Sequence, residues 1–282
     1  MFKYALTLVA VAVLLQPAAA RAETDAETCD RLAAFPDDPD KPAGAAGNRY
    51  IPGPDIATAV KACKAAASAA GAPRRLWFEL GRAYEFGHEP ARAVQAYRNA
   101  VDMGSTSAMV GLGAMQIKGS GVKANPAAGR ALIERAAAAG NPAGMSDLGA
   151  LHGAGIGGPV DFAKARTWFA KAAAANYPEA MFQMGMMTQD GDGGPKDDTA
   201  AKAWFEQAAA LNHAGALERL GAYAEDGRAG PKDKTAAIAF YKKAAALGDD
   251  DAQEALRRLR CPYSLKDKNG KVVGSICYDG PD

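Results

Sequence analysis

The chain has 282 residues, of which 49% are hydrophobic and 7% aromatic, and its 33 basic side chains nearly balance 32 acidic ones for a formal charge of +1. Near-neutrality excludes a general nucleic-acid binder, which needs a basic surface. The apolar share, carried mostly by alanine, excludes a disordered chain and suits closely packed helices.

The opening stretch, MFKYALTLVAVAVLLQPAAARAE, carries Lys3, an apolar run of 11 residues from Ala5 to Leu15, and Ala20-Arg21-Ala22 at an A-x-A cleavage pattern. This reads as a secretory signal peptide over residues 1–22, because a spanning helix needs about 20 apolar residues. Cleavage leaves Glu23 first, with no stable membrane span and no cysteine at the junction for a lipid anchor. Loss of Lys3 and Arg21 takes the formal charge from +1 to −1. Residues 23–71 show no repeat: 36–54 are rich in Pro, Gly and Asp and read as loop. Asp55 to Ala70 reads as a helix whose Ile56, Ala59, Val60 and Cys63 lie on a face that covers the first repeated unit.

From there the chain is periodic. Gly113, Gly149, Gly185 and Gly221 lie 36 residues apart, as do Leu112, Leu148, Met184 and Leu220, then Gly119, Gly155, Gly191 and Gly227, and Ala136, Ala172, Ala208 and Ala244. Leu132, Trp168, Trp204 and Phe240 keep the same step. A period of about 20–50 residues marks a stack of supersecondary units. Each unit reads as a first helix, a glycine loop and a second helix, the latter opened by Asp161, Asp197 or Asp233 as N-cap or first-turn acid. The mid-helix glycine is a cost of about 1 kcal/mol against alanine, so it implies close approach of the second helix through its alanines. Trp168 and Trp204 are expected to fill the space between units. A shorter unit precedes the four, with Trp77, Leu80, Gly81 and Tyr84, then Ala93, Tyr97 and Ala100. After them, Asp250–Arg260 reads as a capping helix whose Arg257, Arg258 and Arg260 give a polar outer face. Asn269-Gly270 between two β-prone runs predicts a β-hairpin.

The pattern A-x3-L-G-x5-G-x-G, carried by Ala180, Met184, Gly185, Gly191 and Gly193, followed by Lys202, Ala203, Trp204, Phe205, Gln207, Ala208 and Ala209, resembles the Sel1-like repeat. The shorter unit resembles the related tetratricopeptide repeat. One departure is that the usual tyrosine after the first-helix glycine is replaced by Gln116, His152, Thr188 and Ala224. The expected fold is all-α: an α/α solenoid with a small C-terminal β-hairpin. Its parts are a signal peptide at 1–22, an N-terminal loop and capping helix at 23–71, a tetratricopeptide-like repeat at 72–105, four Sel1-like repeats at 106–249, and a capping helix with a disulfide-closed hairpin at 250–282.

Four cysteines allow three pairings, and sequence locality with the hairpin favours Cys29–Cys63 and Cys261–Cys277. An exported chain with an even cysteine count fits disulfides in an oxidising compartment, and pairs at opposite ends of a solenoid cannot converge on a metal. The segment C-D-R-L-A around Cys29 resembles the front end of exported Sel1-repeat proteins of Gram-negative bacteria, which implies a periplasmic or secreted location.

Motifs for catalysis do not assemble. Gly153–Gly158 holds a G-x-G-x-x-G, but a helix precedes it rather than a strand. Asp190–Asp198 resembles the start of a calcium loop, but Ala201 occupies the position that needs an acid. Ser120 and Lys123 match S-x-x-K without the S-D-N or K-T-G partners. His88, His152 and His213 fall in separate units. The chain is expected to be no enzyme and to use no cofactor or metal.

The resemblance implies a concave groove lined by the first helices. Carried over by position, its wall is Arg75, Phe78, Arg82, Glu85 and Phe86 in the first unit, then Ser107, Val110, Lys118 and Ser146. Glu179, Phe182, Met186, Gln189, Asp190, Glu218, Glu225 and Asp226 continue it. Such a groove, basic and aromatic at one end and acidic at the other, would hold a protein or peptide partner in the cell envelope. The reading is an exported adaptor. The alternative is a cell-wall- or β-lactam-interacting enzyme, or a peptidoglycan-binding protein.

Overall fold

A computed structural model describes residues 23–260, 263–266, 268–269 and 271–276. The expected signal peptide and the expected Cys261–Cys277 pair fall outside these residues. The described chain begins with α1 (Asp25–Ala33) and α2 (Gly53–Ala67), joined by a long loop. Five helical hairpins follow: α3 (Arg74–Phe86) with α4 (Pro90–Asp102), α5 (Thr106–Lys118) with α6 (Pro126–Ala138), α7 (Pro142–Ala154) with α8 (Phe162–Ala174), α9 (Pro178–Asp190) with α10 (Asp198–Ala210), and α11 (Ala214–Asp226) with α12 (Lys234–Ala246). Helix α13 (Asp250–Arg260) packs on α12, and strands β1 (Tyr263–Lys266) and β2 (Val272–Ile276) pair antiparallel, Tyr263 opposite Ile276.

Local chemistry sets the boundaries of the hairpins. Asp161, Asp197 and Asp233 are N-caps, each accepting a backbone N–H from the first turn of its helix. Gly119, Gly155, Gly191 and Gly227 close the first helices in the left-handed conformation, at φ of 74°, 67°, 84° and 75°. Helix α1 has a full capping box between Thr24 and Glu27.

The mid-helix glycine has the expected kind of cause, close approach of the second helix, but a different residue makes the contact. A Cβ on Gly221 would lie 2.6 Å from the ring of Tyr241, and one on Gly149 would lie 3.0 Å from the ring of Phe169. Gly81 and Gly185 face the rings of Tyr97 and Phe205 in the same way, and Gly113 faces Ile133. The carbonyls of Gly129 and Ala165 would lie 2.8 and 3.1 Å from a Cβ at Gly113 and Gly149, but the demand comes chiefly from a large second-helix side chain lying on the glycine rather than from alanine side chains. These plugs are deeply buried: Phe205 is 0% exposed, Tyr97, Ile133 and Tyr241 are 2% exposed and Phe169 is 4% exposed. Trp168 and Trp204, one residue earlier than Phe169 and Phe205, are half-buried and pack at the margin of the core.

Tertiary contacts join the non-repeating N-terminal part to the array. The Cys29–Cys63 disulfide links α1 to α2, as expected, and α1 and α2 both pack on α3. The loop between them does not hang free. Asp38 accepts a hydrogen bond from Ser107 of α5 at 2.8 Å, and Asp40 takes both Nε and Nη2 of Arg74 at 2.6 and 2.7 Å.

Candidate partner-binding groove

Close approach between first helices, α3 with α5 and α5 with α7, places them on the inner side of the stack. There the loop 34–52 roofs a chamber of about 610 Å³. Phe35, Asp37 and Arg49 come from the roof. Phe78, Glu85, Phe86 and Tyr97 come from the first unit, Ser107, Val110 and Gly111 from the second, and Ala143, Asp147 and Tyr177 from the third, with Ile56, Arg82 and His88 also in the wall. A second recess of about 300 Å³ shares Asp147 and runs on past Glu179 to Asp192. A third, of about 350 Å³, lies at the far end among Glu218, Glu225, Asp226, Asp251, Glu254 and Arg258.

Of the residues expected in the groove, Phe78, Arg82, Glu85, Phe86 and Val110 do meet at one chamber. Phe78 is buried and lies 5.9 Å from Tyr97, centroid to centroid, and Glu85 accepts the Tyr97 hydroxyl proton at 2.8 Å. The basic end, however, is occupied by the chain itself. Arg75 holds Asp30 of α1 through two hydrogen bonds of 2.9 and 3.1 Å. Arg82, 6% exposed, donates to the carbonyls of Ala33, Asn48 and Arg49 and stacks 4.9 Å from the centroid of Phe35 and 5.8 Å from that of Phe86. Burial alone lowers the pKa of that guanidinium; the carbonyls and rings are what hold its charge in place.

The other expected residues are dispersed. Ser107 also lines the chamber but is buried, its hydroxyl spent on Asp38, whereas Ser146 is buried in the next recess and Lys118 is exposed. Glu179 accepts from His213 Nε2 at 3.0 Å; His213 Nδ1 accepts the Ala216 amide, so Nε2 carries the proton. That bond holds the Glu179 carboxyl below its ordinary pKa. Phe182 stacks on the His213 ring at 4.7 Å, and Met186 is half-buried beside the same core. Gln189 points inward, 8% exposed, and accepts the Tyr223 hydroxyl at 3.1 Å. Glu218 lies 3.5 Å from Arg219, and Glu225 is clasped by Arg258 of α13 at 2.7 Å and by the Tyr241 hydroxyl at 3.1 Å.

Asp147 and Tyr177 were not anticipated. Asp147 lies 36 residues after Gly111, which lines the same chamber, so the register two places before the first-helix glycine carried the signal. Burial pushes the Asp147 carboxyl up to about 6, helped by Glu179 and opposed by Lys118. Tyr177 is held above the ordinary tyrosine range by burial first, then by Asp147.

Several of the motif residues have structural partners. Ser120 sits in the turn after α5, its amide bonded to the Met115 carbonyl. Asp197 caps α10, and Asp198 takes Arg228 at 2.9 Å. The cluster Cys29, Cys63 and Glu79 has metal-ligand residue types, but its sulfurs are bonded to each other. Buried Glu79, its pKa raised by desolvation to about 9, is protonated and places Oε2 3.0 Å from the disulfide sulfur of Cys29. Since that sulfur carries no hydrogen, the carboxyl O–H is the donor.

The Sel1 repeat family profile matches residues 106–141, 142–177, 178–213 and 214–249, just over half the chain. No curated protein matches the sequence. Among solved structures, a Sel1 repeat protein from Oxalobacter formigenes aligns at 23% identity and a TM-score of 0.62, over 72% of this chain and 84% of that one. The protein c5321, a protective antigen of uropathogenic Escherichia coli strains with the same repeat fold, aligns at 26% identity and a TM-score of 0.57, over 73% of this chain and 44% of its own. With four matched repeats, each a helical hairpin of the expected register, the chain belongs to the Sel1 repeat family.

Proposed function

We propose that the protein is an exported, periplasmic adaptor that does no chemistry and holds a segment of another protein on the inner face of its solenoid. The observation that carries this reading is the roofed chamber of about 610 Å³, to which three consecutive units each contribute a wall. Its volume lies in the range of about 300–1,000 Å³ typical of binding pockets, and its walls combine the rings of Phe35, Phe78, Phe86, Tyr97 and Tyr177 with a few charged groups. A site shared by several units suits an extended polypeptide, which stacked repeats bind along their concave side. Support for the compartment is the signal-peptide pattern at residues 1–22 together with the Cys29–Cys63 disulfide, a bond that persists in oxidising surroundings.

The test is in-cell photocrosslinking from a benzophenone amino acid placed at Val110, in the chamber, or at exposed Glu206 on α10. A discrete protein adduct from position 110, absent from position 206 and recovered in the periplasmic fraction, is expected. Equal adducts from both positions, or retention of the protein in the cytoplasm, would refute the reading.

A further inference from the structure

We infer that the groove takes a basic segment of its partner, with an apolar side chain in the chamber and the next lysine or arginine on Asp147. This deepens the adaptor reading and rests on it.

The argument is one of charge left over. Every arginine at the chamber is committed within the chain: Arg82 to three carbonyls and Arg49 to Asp37 at 2.8 Å. Asp37 is matched by that pairing, but the other two chamber carboxyls, Glu85 and Asp147, are not. Glu85 holds only the Tyr97 hydroxyl, and among the described residues no hydrogen bond or ion pair reaches Asp147. Asp147 also lies where the chamber opens into the next recess, on a path continued by Glu179 and Asp192. A segment leaving the chamber therefore passes a half-buried, unpaired carboxylate and then further acids. Its complement is a cation on an aliphatic stem, which also packs against the rings of Tyr97 and Tyr177.

The groups facing Asp147 are Glu179 on α9 and Lys118 on α5, with Tyr177, Asp37 and Arg49 across the chamber. Lys118 is exposed, and its charge is partly screened by water. A bound cation favours the ionised carboxyl, so affinity should rise between pH 5 and pH 7.5, as Asp147 loses its proton near 6.

The experiment uses the mature chain and fluorescein-labelled hexapeptide mixtures, each with one position fixed as Lys, Arg, norleucine or Glu, read by anisotropy. Mixtures fixed as Lys or Arg should bind tighter than those fixed as norleucine by about 10- to 100-fold, the worth of a charged hydrogen bond. Asp147→Asn should erase both that preference and the rise with pH, and Glu206→Gln on the outer face should keep both. Equal binding of basic and norleucine mixtures overturns the proposal and leaves the adaptor reading standing, because peptides still bind. A preference that survives in Asp147→Asn also overturns it. Binding of none of the mixtures overturns it as well, and the crosslink from position 110 then decides separately whether the adaptor reading falls too.

Discussion

Arg82 should be the tie that keeps the roof on the chamber. Replacing it with methionine keeps the apolar stem between Phe35 and Phe86 but removes the donors to Ala33, Asn48 and Arg49. Three hydrogen bonds from a charged group, at about 1.5 kcal/mol each, come to about 4.5 kcal/mol. Burial works against the charged guanidinium, so the net loss is smaller, about 3 kcal/mol, which is roughly a 150-fold shift toward the open loop. The loss should be local, because the disulfide still docks α1 and α2 and so anchors both ends of the loop. A repeat array need not unfold in one step, so the readout is hydrogen exchange by segment. Amides of the roof, such as Asn48 bonded to the Ala34 carbonyl at 2.7 Å, should lose about two orders of magnitude of protection. Those of α7 to α12 should not change. If Asn48 keeps its protection within about threefold of the parent, the roof is held by something else and the reasoning fails.

Glu79 should give the stability a pH slope. Its folded pKa of about 9 lies above its ordinary value of 4.5, so the folded state binds the extra proton and stability falls as pH rises through that window. Between pH 5 and pH 8 the parent should therefore lose more urea resistance than Glu79→Gln, and parallel curves would contradict the assignment. Gly221→Ala should destabilise by about 1–2 kcal/mol net, since overpacking against the Tyr241 ring costs about 1–3 kcal/mol and helix propensity returns up to about 1. A stabilised variant in chemical denaturation would show that the ring yields. Replacing both Cys29 and Cys63 with alanine opens a link between residues 34 apart, worth about 4 kcal/mol of chain entropy, and should lower the denaturation midpoint of α1 to α3 with little effect on α9 to α12. A midpoint that falls equally at both ends of the array would count against that localisation.

The repeat was legible because each of the four units states the same local problem again: a capping aspartate (Asn125 in the first of them), a left-handed glycine, and an apolar face at helical spacing. What periodicity does not contain is the reason a glycine recurs. Gly149 and Phe169 are 20 residues apart, and only the crossing of two helices shows that the ring lies on the glycine rather than on Ala172 or Ala173. Helix α1 carried a signal of its own in the Thr24–Glu27 capping box, but nothing periodic drew attention to it.

The groove divides along the same line. Positions carried over from the repeat found walls, because Phe78, Glu85, Phe86 and Val110 project from regular helices whose inner side the register fixes. The same carry-over misjudged charge, because charge depends on what else arrives. The loop 34–52 has no period, and its course is set by contacts between distant residues, such as Asp38 with Ser107 across a separation of 69. That loop turns the arginines inward as structural ties, and α13 does the same for Glu225 at the other end. Segments outside the repeats thus tie down Arg75 and Arg82 at one end and Glu225 at the other, while Glu218, Asp226, Asp251 and Glu254 leave the far end acidic. The stretch between them, around Asp147, keeps a carboxyl that no hydrogen bond or ion pair among the described residues reaches, with Lys118 acting on it only through space, and on the proposed reading a partner's cation would be recognised there.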